Sequence, residues 1–255
     1  MSNITASASG PLLGVKILDL TQYQVRRPHP HPLPPVRADS SPWWCVQNGP
    51  TATMMMADFG ADVVKVERPE GGDPGRGGHM ADGKAPRWLL HPTRAGPPTH
   101  PVRTAPAGFH SYIEAFNRGK RSLTLDLRNP ESKDVIHRML QWADVLTENF
   151  RPGFLDSIGY SYEECKKVNP SIIYASNSGF GPEGEWSRNG SMDAVCQAMS
   201  GAAVAQGGGP SHEPVLIENC PADQSGAWNF AFSIVSALFH RERTGRGQWL
   251  QTSQL

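Results

Sequence analysis

Apolar residues come in short runs separated by polar or glycine-rich breaks. Residues 15–20 (VKILDL) form one such run with a single acid near its end, which predicts a buried strand. Residues 50–59 (PTATMMMADF) follow as a helix, with Pro50 early and Gly60 as its stop. Residues 62–67 (DVVKVE) are rich in β-branched side chains and predict a second strand. Residues 122–127 (SLTLDL) alternate and predict a third. Asn129 then caps a helix that has Pro130 at its first position and Glu131 in its first turn. Val135, Ile136, Met139 and Leu140 recur in it at helical spacing and are expected to face the core.

Two further strands are predicted at 144–148 (DVLTE) and 171–176 (SIIYAS), with a short helix at 162–167 between them. Strands alternating with helices imply an α/β fold, a Rossmann-like, mostly parallel sheet with flanking helices. Ligands of such sheets bind beyond the carboxyl ends of the strands, where Arg68, Asn149 and Phe150 fall. The last third changes character. Residues 193–205 (DAVCQAMSGAAVA) predict one small-residue helix. After the loop Gly207 to Gly209, residues 223–245 predict a long helix, apolar nearly all round and largely buried, that stops at Gly245. Residues 248–252 (QWLQT) open a new strand. A strand opening so close to the last residue is expected of a fragment of a larger domain.

Two stretches break this pattern. Residues 23–45 and 84–107 hold 12 of the 23 prolines and show neither the helical nor the strand period. Proline at that density removes backbone donors and blocks both elements. Both read as irregular insertions, either loop insertions or translated intron sequence, with a proline-rich docking segment as the functional alternative. The flanking elements join sensibly when both are removed.

Composition narrows the function classes. Lys plus Arg and Asp plus Glu number 24 each, so no basic excess points to nucleic acid. No apolar run is long enough to span a bilayer. Residues 1–10 resemble neither a signal nor a transit peptide, so a cytoplasmic location is expected, with a mitochondrial one left open. Cys45, Cys165, Cys196 and Cys220 include no C-x-x-C pair, so neither a zinc site nor a disulfide framework is indicated. His137, His212 and His240 are scattered. No G-x-S-x-G or H-E-x-x-H signature occurs, and the glycine triplet at 207–209 lacks the spacing of a phosphate loop.

Asp223 opens the long helix. At that position a carboxylate is held anionic by unpaired backbone N–H groups, and the ordinary reading is a helix cap. If it also faces a site, it can attack a thioester carbonyl and form a mixed anhydride. Arg68, and the pair Lys120 and Arg121, could each meet a phosphate or simply be solvated.

Seven segments taken together resemble the family III CoA-transferases, the superfamily of formyl-CoA transferase, carnitine CoA-transferase and methylacyl-CoA racemase. They are GVKILDLTQ, NGPTATMMMADFGADVVKVERPEGGDPGR, FNRGKRSLTLDL, ADVLTENFRPG, NPSIIYASNSGFGPEG, GSMDAVCQAMSG and HRERTGRGQ. They cover nearly all of the chain outside the two proline-rich stretches.

The resemblance implies a large Rossmann-like domain plus a small one, in two interlocked subunits, so a homodimer is expected of the full-length protein. The 255 residues then correspond to part of the large domain, without the small domain and its mobile glycine-rich loop. It implies that CoA moves from an acyl-CoA donor to a carboxylate acceptor, with coenzyme A as substrate and no permanent cofactor or metal. The family's aspartate nucleophile falls on Asp223, in PADQSG. Its active-site glutamine falls on Gln47, with Gln22 as the fallback. CoA-contacting positions fall on Arg68, Leu125, Asn149 and Phe150, and an active-site tyrosine on Tyr112.

Two family contacts to CoA, a basic residue and a methionine, are Ser157 and Ile158 here. The racemase branch requires a histidine where this chain has Met192. Transfer is therefore expected over racemisation, and an inactive CoA-binding fragment is the reading from a different class.

Overall fold

The computed structural model describes residues 10–23, 47–76, 111–218 and 220–255, except for the side chains of Ser111 and Tyr112. Of the two proline-rich stretches, only Tyr23 lies among the described residues.

The described part is built on one six-stranded sheet. In chain order the elements are β1 (Lys16–Asp19), α1 (Asn48–Asp58), β2 (Asp62–Glu67), α2 (Ser111–Asn117) and β3 (Arg121–Thr124). Then come α3 (Lys133–Trp142), β4 (Val145–Glu148), α4 (Phe154–Ser157), α5 (Tyr162–Val168) and β5 (Ile173–Ser178). The last are α6 (Asp193–Met199), α7 (Ala202–Gln206), α8 (Pro221–Thr244) and β6 (Gln248–Ser253). The strand order is β3-β2-β1-β4-β5-β6, and every pairing is parallel. Chain order thus reverses between β1 and β4, the position at which an open α/β sheet forms a crevice for ligands.

Burial on both faces explains why the strands are apolar without strict alternation. Ile17, Val145 and Ile173 point to one core, which α1 and α8 cover with Met56, Phe230 and Ile234. Leu18, Leu146 and Tyr174 point to the other, which receives Ile136, Leu140 and Leu155. Ile136 and Leu140 are buried as their spacing predicts, whereas Val135 and Met139 are only partly so. Asn129 caps as expected, accepting from the Glu131 N–H at 3.0 Å.

Some predicted boundaries shift. The expected 193–205 helix is two helices, α6 and α7, because Gly201 takes φ +82° between them. The third strand stops at Thr124 and the fifth runs on to Ser178. The long helix is not buried all round, since Trp228, Phe232 and Phe239 are more than 60% exposed along one face. The strand at 248–253 forms the edge of the sheet on β5.

A buried ionic network ties the carboxyl end of β1 to its neighbours. Asp19 Oδ2 accepts from Thr53 Oγ1 at 2.8 Å and from Lys120 Nζ at 3.0 Å. Its Oδ1 accepts from the hydroxyls of Thr21 and Thr147. Lys65 Nζ reaches Asp73 at 2.9 Å and the Thr21 carbonyl at 2.5 Å. Gly49 is needed beside it, because a Cβ there would lie 2.7 Å from the Thr21 side chain.

Candidate active site

Asp223 stands in the first turn of α8 with its side chain fully buried. Cys220 at the N-cap has φ +53° and makes no side-chain cap bond. The cap comes instead from Asp193, at the start of α6. Its Oδ1 accepts the backbone N–H of Ala222 at 2.7 Å and that of Asp223 at 3.1 Å. The other Asp193 oxygen accepts from Gln197 Nε2, and Gln197 is fixed in turn by the backbone of Ile217. Gln254, just past β6, donates its side-chain N–H to Asp223 Oδ1.

Oxygen atoms of Asp193 and Asp223 and the Cys220 sulfur all lie within 4.8 Å of one another. Burial pushes the nearby Cys196 thiol up, and the two carboxylates add to this against a bond from Ser191.

The start of α1 lies against the same turn of α8. A Cβ on Gly226 would stand 3.6 Å from the Asn48 side chain, and Asn48 also bonds Asn177 at 3.0 Å. Gln47, one residue earlier, is buried, and its Oε1 has no hydrogen-bond partner among the described residues. Asn48, Asn177, Asn149, Phe150 and Gln254 enclose a cavity of about 20 Å³, room for one water.

Phe150 also walls a cleft of about 480 Å³ on the β2 and β3 side, together with Arg68, Leu125, Gln22 and Phe154. Phe150 and Phe154 pack with ring centroids 4.8 Å apart, and the Arg128 guanidinium lies over Phe154. Arg68 is exposed at the rim and donates to the Gly72 carbonyl at 2.9 Å. Asn149 joins the two spaces by exchanging hydrogen bonds with the backbone of Gln22.

Of the residues expected at a site, Arg68, Leu125 and Phe150 share the larger cleft. Asn149 lines the smaller cavity. Asp223 and Gln47 line neither space; Asp223 is bonded to the wall residue Gln254, and Gln47 directly precedes the wall residue Asn48. Tyr112 belongs to α2, with its side chain outside the described residues. Sequence reasoning missed Asp193, Gln197 and Gln254. Asp193 stood in a noted segment, and the spacing Asp193 to Gln197 on one helix face was its only signal.

A parallel α/β sheet with a cleft at its switch point defines an α/β ligand-binding fold. The chain belongs to CoA-transferase family III, whose pattern matches residues 45–255. It is 37% identical to a formyl-CoA:oxalate CoA-transferase of Afipia carboxidovorans, over 80% of this chain and 42% of that protein. It is 33% identical to an acetyl-CoA:oxalate CoA-transferase of Acetobacter aceti, over 97% of this chain and 52% of that one. A crystal structure of a CAIB/BAIF family protein from Brucella suis superposes with TM-score 0.70 and 33% identity, covering 95% of this chain and 52% of that one. The chain thus spans about half the length of the curated relatives it matches. Among the described residues, no helix is long and apolar enough to cross a membrane.

Proposed function

We propose that this chain is the CoA-binding half of a CoA-transferase in which Asp223 carries the acyl group. The observation that carries the reading is the capping arrangement. Asp193, not Asp223, takes the first N–H groups of α8. The ordinary explanation for an acid at that position is therefore already met by another residue. Asp223 is instead bonded to Gln254, a wall residue of the small cavity that shares Phe150 with the larger cleft.

In this mechanism the acyl-CoA lies in the larger cleft, with Arg68 near its phosphates and Leu125 and Phe150 against its base. Asn149 guides the chain inward, and the thioester is brought to Asp223 and Gln47. An Asp223 oxygen attacks the thioester carbonyl and CoA leaves as thiolate, giving an aspartyl anhydride. Gln47 donates its amide N–H to the developing oxyanion. The thiolate then attacks the aspartyl carbonyl, releasing the donor carboxylate and leaving an aspartyl-CoA thioester. An acceptor carboxylate attacks that thioester, re-forming an anhydride. CoA thiolate takes the new acyl group and Asp223 is regenerated. Oxalate, which appears in the names of both curated relatives, is the first acceptor to test. Racemisation would need a proton-transferring group where Met192 stands, and a thioether supplies none.

Label exchange between acyl-CoA and free carboxylate, with hydroxylamine trapping followed by peptide mass spectrometry, tests the reading. The hydroxamate is expected on Asp223, and Asp223→Asn is expected to lose about 10³-fold or more of the exchange. Undiminished exchange by Asp223→Asn ends the proposal. Because the chain spans half of its relatives, CoA binding without exchange would identify it as the binding half alone.

A further inference from the structure

A third cavity, of about 160 Å³, opens on the far side of Phe150 from the larger cleft. Its acidic groups are Glu148, at the carboxyl end of β4, and Asp156, in α4, beside neutral polar side chains such as Ser176 and Gln251. Its apolar walls are Phe150, Tyr174 and Trp249. The aromatic side is held in place by neighbours. Trp249 stacks on Tyr162 with centroids 5.9 Å apart, meets Tyr174 edge-on, and donates its indole N–H to Ser176 at 3.1 Å. The Tyr174 hydroxyl is committed to the Tyr160 carbonyl.

The charges around this cavity are unbalanced. Among the described residues, Arg151 is the one basic residue on its wall, but its guanidinium reaches towards Gly190, where a Cβ would lie 3.4 Å from Nη2. Gly190 belongs to the small cavity on the other side. Residues from β6 on this wall are Trp249, Gln251 and Thr252, all uncharged. Among the described residues, Glu148 has only neutral donors, the Phe150 N–H at 2.8 Å and the Ser176 hydroxyl. Two acids facing three π-systems, with Arg151, the one cation among the described wall residues, turned towards Gly190, is the arrangement that recognises a cation with a flat or apolar body.

We propose that this cavity binds a small organic cation of the amidinium or guanidinium class, its charged end on Glu148 and its body against Trp249 and Phe150. The site shares Phe150 with the larger cleft and uses neither Asp223 nor Arg68. Binding should also take up charge from Glu148. Burial lifts that carboxyl to about 7, with the Ser176 and Phe150 bonds opposing and Asp156 adding to the rise. Tyr174, pushed up by its own burial, stays neutral throughout. An incoming cation therefore favours the ionised acid and expels a proton near neutral pH.

Calorimetric titration of the whole chain with benzamidinium, which stays charged throughout the range used, tests this. Affinity is expected to rise about 10- to 30-fold from pH 5.5 to 8.5, following the ionised fraction of Glu148. Neutral benzamide should bind at least ~10-fold more weakly. Glu148→Gln should weaken benzamidinium ~10-fold at pH 8.5 and flatten the pH profile. Trp249→Leu should weaken it several-fold and leave the profile in place. Asp156→Asn, at an exposed position, gives a second arm that does not depend on Glu148→Gln folding, with a few-fold loss expected. Equal binding of benzamide and benzamidinium, an unchanged affinity in both acid variants, or no saturable binding at pH 8.5 would each overturn the assignment.

Discussion

Two backbone N–H groups, those of Ala222 and Asp223, end on a single oxygen of Asp193. Its other oxygen is committed to Gln197, which cannot turn its amide round. Gln197 Oε1 accepts the Ile217 N–H at 2.7 Å while Nε2 donates to the Ile217 carbonyl at 3.0 Å. An acid is therefore required at 193, since an amide there would set its own NH₂ against that of Gln197. Asp193→Asn keeps the cap and loses the Gln197 bond, at a cost of about 1 kcal/mol. Asp193→Ala loses both and leaves buried donors unpaired, at about 2–3 kcal/mol. Urea unfolding of the three proteins measures the order wild type, Asn, Ala. Asn and Ala variants of equal stability would show that the cap contributes nothing.

Among the elements, α8 separates burial from hydrophobicity most clearly. Ala227, Phe230, Ile234 and Ala237 lie on its inner face at spacings of three and four, packed on α1 and the sheet. Trp228, Phe232, Val235 and Phe239 repeat the same spacing on the outer face and are exposed. Phe230→Ala should cost about 3–5 kcal/mol, because it opens a cavity in a closed core. Phe232→Ala, at 73% exposure, should change stability by less than about 0.5 kcal/mol. Thermal or urea melts decide it, and comparable losses would mean that the outer face is covered in solution.

The sequence alone shows both faces of α8 as apolar, and period cannot tell which one meets a neighbour. The same limit split the expected 193–205 helix, whose alanine-rich pattern hides the break that Gly201 makes. Local signals did better where they were chemical. The β-branched run at 62–67 is a strand over the residues expected, and Asn129 caps with Pro130 and Glu131 behind it. Of the candidate site, Arg68 and Phe150 were legible because strand ends of a parallel sheet converge at one rim, whereas Leu125 was reached only through the family resemblance. Gln254 was not. Its contact with Asp223 depends on β6 crossing back to the edge of β5, 31 residues later.

At the scale of the molecule, strands β1 to β4 and helix α1 are held at one rim by buried charge. Asp19 is fully enclosed, and burial alone would raise its pKa. Lys120 and Lys65 outweigh that, with help from Thr21 and Thr53, and hold it at about 2. Lys120 is brought down to about 8 by its own burial against the pull of Asp19, so the pair is ionised throughout the range between. Burial also opposes the ionisation of Glu67. Its bonds from Arg76 and Ser122 and from the Asp73 N–H prevail, and it too stands at about 2.

Both acids are thus weaker proton acceptors in the folded chain than in the unfolded one. Their stabilisation is complete above the unfolded values of 3.8 and 4.5, and it is lost as pH falls towards about 2. Each shift is worth on the order of 2–3 kcal/mol. Unlike an exposed pair, these charges are shielded from salt by the protein around them. The urea midpoint should accordingly fall steeply between pH 5 and pH 2.5, and by nearly the same amount at low and high ionic strength. Glu67→Gln removes one of the two titrations, so its midpoint should start lower at pH 6 and decline less with acid. A wild-type midpoint that is flat over this range, or a slope that Glu67→Gln leaves untouched, would mean that the rim is held by packing and not by its charges.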